Sequence, residues 1–137
     1  MSHIIGIGSD LVYIPRIADT LEHQGERFLE RCFSPQEVEY AMSATDIKVQ
    51  TGRLAKRWAA KEAMGKALRT GIAKSVTLKD IYVTNDADGA PQLNVQNGAK
   101  AVLMGLVGQD FMPQINLTLS DDNNYAQAFV VLSAEKL

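Results

Sequence analysis

The apolar positions of the chain change their period several times, and each change marks an element. From Ile4 to Ile14, aliphatic residues and Tyr13 alternate loosely with polar ones, and Gly6 and Gly8 interrupt them. That pattern predicts a first strand with a close backbone approach at the glycines. Pro15 suits the first position of a helix, and Ile14, Ile17, Ala18 and Leu21 keep one apolar face until Gly25 ends it. Ser34-Pro35-Gln36-Glu37 offers a capping hydroxyl, a proline at N1 and a glutamate at N3 that reaches back to the cap, predicting a short helix to about Ala41. A long helix is predicted from Gln50 or Thr51 to about Arg69, rich in Ala, Leu, Lys, Arg and Met and stopped by Thr70-Gly71.

The second half reads as strands and turns. Asp80–Thr84 and Gln92–Gln96 are predicted strands joined by the turn Asn85–Pro91. Asn97 is the expected cap of an amphipathic helix carrying Ala101, Val102, Leu106 and Val107, closed by Gly108. Gln114–Leu119 and Tyr125–Leu132 read as a hairpin whose polar tip is Ser120-Asp121-Asp122-Asn123-Asn124. No repeat, linker or low-complexity tract divides the 137 residues, so a single compact α+β domain over 1–137 is expected.

Charge singles out the long helix. Eight of the 14 Lys and Arg residues fall between Thr51 and Asp80, opposed only by Glu62 and Asp80, so this segment carries net +6 and the remainder net −8. A basic patch within an acidic chain indicates a localised anionic ligand and not the coating of a nucleic acid, which takes a basic domain. The alternative is a solvated basic face. No apolar run reaches the roughly 18 residues of a membrane span, and the first residues lack the order of a signal peptide, so a cytoplasmic protein without a membrane partner is expected. Cys32 stands alone, and His3 and His23 lack zinc-type spacing, which argues against Cys/His catalysis and transition-metal hydrolysis.

On a helix at about 100° per residue, Glu62 and Lys66 share a face with Trp58 and Arg69, while Arg57 and Lys61 form a second row more than a quarter turn away. Two such rows suit the separated phosphates of an elongated, nucleotide-like ligand. A carboxylate among cations and phosphates is a natural Mg²⁺ ligand, and Asp10, isolated on an apolar strand, is the best second one. Bland readings stand beside these. Asp10 can cap the helix at Pro15 or pair with an arginine, Glu62 and Lys66 can form an ordinary i,i+4 bridge, and Trp58 can be core. Gly6 and Gly8 lack the third glycine of a dinucleotide fingerprint.

Ile5-Gly6-Ile7-Gly8-Ser9-Asp10-Leu11 with Arg16-Ile17, Arg57-Trp58-Ala59-Ala60-Lys61-Glu62-Ala63 with Lys66-Ala67, and Thr70-Gly71-Ile72 together resemble the holo-acyl-carrier-protein synthases, the small bacterial 4′-phosphopantetheinyl transferases. The likeness spans nearly the whole chain, including the Asp88–Pro91 turn and the Leu119–Ala126 segment. It implies one long helix against a small, mostly antiparallel sheet, in a homotrimer with sites between subunits. It also implies transfer of phosphopantetheine from coenzyme A to a serine of apo-acyl carrier protein, releasing adenosine 3′,5′-bisphosphate, in fatty acid biosynthesis. By that resemblance Asp10 and Glu62 hold Mg²⁺, and Asp10, Glu62 and Lys66 are catalytic. Arg57, Trp58, Lys61, Lys66 and Gly71 bind coenzyme A, and Arg16, Arg27 and Arg31 receive the acidic carrier. The base for the serine proton stays open among Glu62, a water on the metal, and Lys66.

Three positions depart from the family pattern. Asp121 replaces a common histidine, Arg69 a usual glycine and Ala90 a common lysine. The rival reading is a noncatalytic module that binds coenzyme A or acyl carrier protein. A Mg²⁺-dependent nuclease is a weaker rival, for want of a dense acidic cluster.

Overall fold

The computed structural model describes residues 1–137. Strand β1 (Ser2–Tyr13) forms where the alternation predicts it and pairs antiparallel with β5 (Tyr125–Lys136). That strand pairs in turn with β4 (Phe111–Asp122), giving a sheet of order β1-β5-β4. The closing hairpin is longer than predicted. Its connection contracts to Asn123-Asn124, with Asn123 at φ 53, and Ser120, Asp121 and Asp122 continue the ladder. A positive φ in a two-residue connection matches the twist of the strands it joins. Pro113 is tolerated because β4 lies at the sheet edge.

The pleat sorts the two faces. Val12, Ala126, Ala128, Val130 and Leu132 are buried beneath the long helix α4 (Ile47–Ala67). On the opposite face Ile4, Ile7, Leu11, Tyr125 and Phe129 are 41–66% exposed, and no element of the chain covers them. α4 starts earlier than predicted because the Asp46 carboxylate accepts from the Lys48 N–H at 2.9 Å and so caps it. Its buried surface is built from small residues: Ala55, Ala59, Ala60, Ala63 and Ala67 are fully buried. Small residues let β1 come close, and the glycines of β1 complete the fit. A Cβ on Gly6 would overlap Ala67 O, and one on Gly8 would overlap Ala63 O.

Around this pair the remaining elements close the domain. α1 (Ile14–Gln24) ends at Gly25, as expected, but Gly25 at φ 53 also opens a further short helix, α2 (Glu26–Cys32), that the pattern did not separate. α3 (Pro35–Met42) carries the predicted capping box, both halves of which are made. β2 (Ile81–Asn85) and β3 (Pro91–Val95) form the predicted hairpin. α5 (Asn97–Val107) corrects one expectation. Gln96 stands at its N-cap without a side-chain capping bond, its amide donating instead to Lys79 O at 3.2 Å, while Asn97 adopts φ 52 and its amide donates to Asp80 at 3.1 Å. The core runs from Phe28 and Phe33 through Leu54, Met64 and Leu68 to Ile81, Val83, Leu103 and Leu132.

Candidate active site

β1 and α4 bring together three groups that lie far apart in sequence. Asp10 sits on the inner face of β1, opposite Ala128, and Glu62 and Lys66 lie one turn apart on α4. The Lys66 ammonium donates to Ser9 O at 2.9 Å and to Asp10 Oδ1 at 3.3 Å. Lys66 thus ion-pairs with Asp10 and makes no bridge to Glu62. Asp10 does not cap α1, whose N-cap Tyr13 makes no side-chain bond.

Both acids are partly desolvated, and only Asp10 is paired with the Lys66 ammonium. Partial burial pushes the Asp10 carboxyl up, against the hydrogen bond and charge of Lys66. Partial burial also pushes Glu62 up, reinforced by the Asp10 charge and opposed by Lys66. Carboxylates held in this way attract a further cation. No third His, Cys, Asp or Glu joins them, so the chain offers two oxygen-bearing side chains and no closed cage. That donor set suits Mg²⁺, which takes one or two carboxylates and completes its shell with phosphate oxygens and water. It does not suit zinc or calcium.

The second cationic row of α4, expected to grip phosphates, turns inward in the chain. Lys61 is fully buried, and its ammonium donates to Glu37 Oε1 at 2.8 Å, to Leu78 O at 3.0 Å and to Ile81 O. All three of its donors are spent, and none remains for a ligand. Burial pushes this ammonium down, while Glu37 opposes the shift. Arg57 is only 3% exposed. Its guanidinium stacks on the Tyr40 ring at 4.2 Å and donates to Asn85 Oδ1 at 2.8 Å, leaving Nε without a partner. Helix periodicity places Arg57 and Lys61 on one face but does not reveal that α3 and β2 cover that face.

Trp58 is half-buried against Phe28, with ring centroids 5.9 Å apart, and faces a hollow of about 460 Å³ that Arg31, Cys32 and Ile72 also line. Gly71 adopts φ 66, and its N–H donates to Gly65 O at 2.9 Å, closing the end of α4. Arg69, at φ 69, occupies the left-handed position after the helix that favours glycine. Its guanidinium donates to Ile5 O at 2.9 Å, a bond that offsets the backbone cost and ties the helix end to β1.

Residues not assigned from sequence form the largest described hollow, of about 850 Å³. Lys48, Arg53, Lys56, Tyr40 and Asp121 line it. Arg53 stacks on Tyr40 at 4.3 Å, on the same ring as Arg57, and Lys56 reaches Asp121 at 3.6 Å. Three cations against one acid make this hollow anion-seeking. Along α4 its three cations lie roughly 9–21 Å from Glu62, at 1.5 Å per residue. Its signal in the sequence was the charge of the basic segment, without the face.

Residues 6–130 match the model of the 4′-phosphopantetheinyl transferase superfamily. The chain belongs to that superfamily. It is 45% identical over 133 residues to the holo-[acyl-carrier-protein] synthase of Sphingopyxis alaskensis, covering 97% of this chain and 98% of that one. It superposes on the holo-[acyl-carrier-protein] synthase of Neisseria meningitidis with a TM-score of 0.81 at 34% identity, covering 98% and 100% of the two chains. The Helicobacter pylori synthase solved in complex with coenzyme A gives a TM-score of 0.76 at 28% identity, covering 92% and 98%. In this phosphopantetheinyl transferase superfamily member Arg16 lies exposed on α1, and Arg27 and Arg31 lie exposed on α2. Of these three arginines, Arg31 lines the Trp58 hollow. No helix is long and apolar enough to cross a membrane.

Proposed function

We propose that the chain is a holo-[acyl-carrier-protein] synthase, which moves the 4′-phosphopantetheine arm of coenzyme A onto a serine hydroxyl of apo-acyl carrier protein and releases adenosine 3′,5′-bisphosphate, in fatty acid biosynthesis. One observation carries the reading: Asp10, Glu62 and Lys66 converge in a chain that matches curated holo-[acyl-carrier-protein] synthases along nearly its whole length.

The serine oxygen attacks the phosphorus that bears the pantetheine arm. A new O–P bond forms, the anhydride P–O bond breaks, and the bridging oxygen leaves with its electron pair on the adenosine 5′-phosphate. Asp10 and Glu62 would hold Mg²⁺ against the diphosphate, and the metal when bound neutralises charge on phosphate oxygens. Lys66, aimed by its bond to Ser9 O, adds a positive charge beside the leaving oxygen. Glu62, carried by α4 to the same place as Asp10, is our assignment for taking the serine proton, directly or through a water on the metal.

Lys48, Arg53 and Lys56 replace Arg57 and Lys61 as our assignment for the remaining phosphate, because their hollow is open and cationic. Arg57 supports it from beneath through Tyr40 and Asn85. Gly71 serves the same end by closing α4. Trp58 and Arg31, with Arg27 exposed on the same helix and Arg16 exposed on α1, form the face for an acidic carrier. A homotrimer fits the chain because the outer sheet face is apolar and uncovered, so other copies can pack there. The reading implies a cytoplasmic enzyme, since donor and acceptor are cytoplasmic.

The test is the intact mass of an apo-acyl carrier protein after incubation with the protein, coenzyme A and Mg²⁺, with EDTA and Asp10→Ala controls. A metal-dependent gain of one phosphopantetheine is expected. No gain with several carriers, from a folded protein, would instead indicate a noncatalytic binding module.

A further inference from the structure

The buried face of α4 presents a problem of aim. A helix that packs through large side chains is keyed against rotation because its ridges fit into grooves. α4 meets β1 and β5 through Ala55, Ala59, Ala60, Ala63 and Ala67, all fully buried, and so presents a smooth surface there, while Leu54 and Met64 are buried with Lys61 on its other side. Glu62 stands at a radius of roughly 6 Å from the helix axis, so a roll of about 10° moves its carboxylate about 1 Å. Something has to set that angle.

Lys61, the residue before Glu62, is the group placed to do so. Its ammonium is bound on three sides by Glu37 Oε1, Leu78 O and Ile81 O, from α3, the turn before β2, and β2. The Glu37 carboxylate is itself fixed. Oε1 also accepts from Ser34 N at 2.9 Å, and Oε2 accepts from Val83 N at 2.9 Å. Both side chains of the pair have no exposed surface. A buried ion pair is a poor source of net stability, since an apolar pair of similar volume does as well or better. What it supplies that apolar contact does not is direction, because each bond has a preferred line.

We propose that the buried Glu37–Lys61 pair is a positioning element of the transferase site: it sets the roll of α4 and thereby the meeting of Glu62 with Asp10. The inference rests on the reading of Asp10 and Glu62 as the catalytic carboxylates. Neither Glu37 nor Lys61 touches substrate, and their action passes through the helix.

The test is the double variant Glu37→Leu/Lys61→Met, compared with wild type for Tm, kcat, carrier KM and the rise in Tm on adding coenzyme A with Mg²⁺. The expected result is a folded protein with a lowered Tm, because Ser34 N–H, Val83 N–H, Leu78 O and Ile81 O lose their partners, and with unchanged carrier KM. Its kcat should be at least about 10-fold lower, from a carboxylate displaced by a fraction of an ångström to 1 Å, and its ligand-induced rise in Tm should be smaller. A folded double variant with wild-type kcat, or with an undiminished rise, would overturn the proposal. Should the double variant not fold, Glu37→Asp keeps the charge and shortens the tether by one methylene, and the same fall in kcat at unchanged KM is expected. Failure of both variants to fold would assign the pair to the fold itself and equally overturn the proposal. Wild-type protein that modifies no carrier would sink the transferase reading, whereas active wild type with an equally active double variant would sink only the positioning role.

Discussion

Gly8→Ala should damage the enzyme out of proportion to the one methyl group it adds. Gly8 lies on β1 two residues before Asp10, and it faces the backbone of α4 next to Glu62. An added Cβ would overlap Ala63 O and lie 2.9 Å from Ala67 N and 3.0 Å from Ala63 C. Comfortable contacts between such atoms are about 3.5–4.0 Å, so β1 and α4 must part by more than about 1 Å. Every contacted atom is backbone, so no side chain can swing aside. Overpacking of this kind costs about 1–3 kcal/mol, which for a domain of this size lowers Tm by roughly 4–12 °C. The same displacement opens the gap between the Asp10 and Glu62 carboxylates, and about 1 Å of misplacement can cost roughly 100-fold in rate. Thermal melting and steady-state carrier modification measure the two effects separately. Gly25→Ala is the control, because its left-handed φ of 53 strains alanine by about 1 kcal/mol, yet the nearest atom is 4.0 Å away, on α1. It should lower Tm and leave kcat alone. A Gly8→Ala enzyme with wild-type kcat and Tm would refute the claim that the glycine sets the spacing of the site.

Three further outcomes follow from the charges and the surface. Asp10 and Glu62 have folded-state pKa values raised by burial, so the folded protein binds their protons more readily than the unfolded chain does. Metal-free stability should therefore fall as pH rises from the ordinary carboxylate range through the raised values, and stay lower above them. Glu62→Gln should abolish turnover yet raise the metal-free Tm at neutral pH; a lower Tm in calorimetry would contradict this. Arg27→Glu together with Arg31→Glu should raise carrier KM several-fold at low salt, with little change in kcat, and the effect should shrink as salt screens it. An unchanged KM would remove these arginines from the docking face. Leu11→Asp, on the uncovered outer sheet face where Leu11 is 62% exposed, should disrupt self-association in light scattering. A wild-type monomer would refute the shared-site picture.

Local chemistry made much of this fold legible in the sequence. The capping box at Ser34–Glu37, the end of α1 at Gly25 and the Asn85–Pro91 turn are each specified by neighbouring residues, and each forms where it is read. The close approach at Gly6 and Gly8 was legible for the same reason, since a strand spends two glycines only where a side chain has no room. Asp10 stands out as an isolated acid on an apolar strand and Glu62 as a lone acid beside Lys66 on a basic helix, but only the packing of β1 on α4 decides that Lys66 turns to Asp10 and leaves Glu62. The second row of the helix shows the limit most clearly. Sequence placed Arg57 and Lys61 on one face, and a cationic face looks the same on paper whether it meets solvent, a phosphate or a buried carboxylate. Glu37 lies 24 positions from Lys61, inside a motif fully explained as a helix cap. Its second use, as the buried partner of a lysine, required α3 and β2 to close over α4. The sequence by itself determined which residues are charged and which helix carries them. Tertiary structure decided which of those charges meet solvent, because burial depends on elements distant in the chain and no local pattern records it.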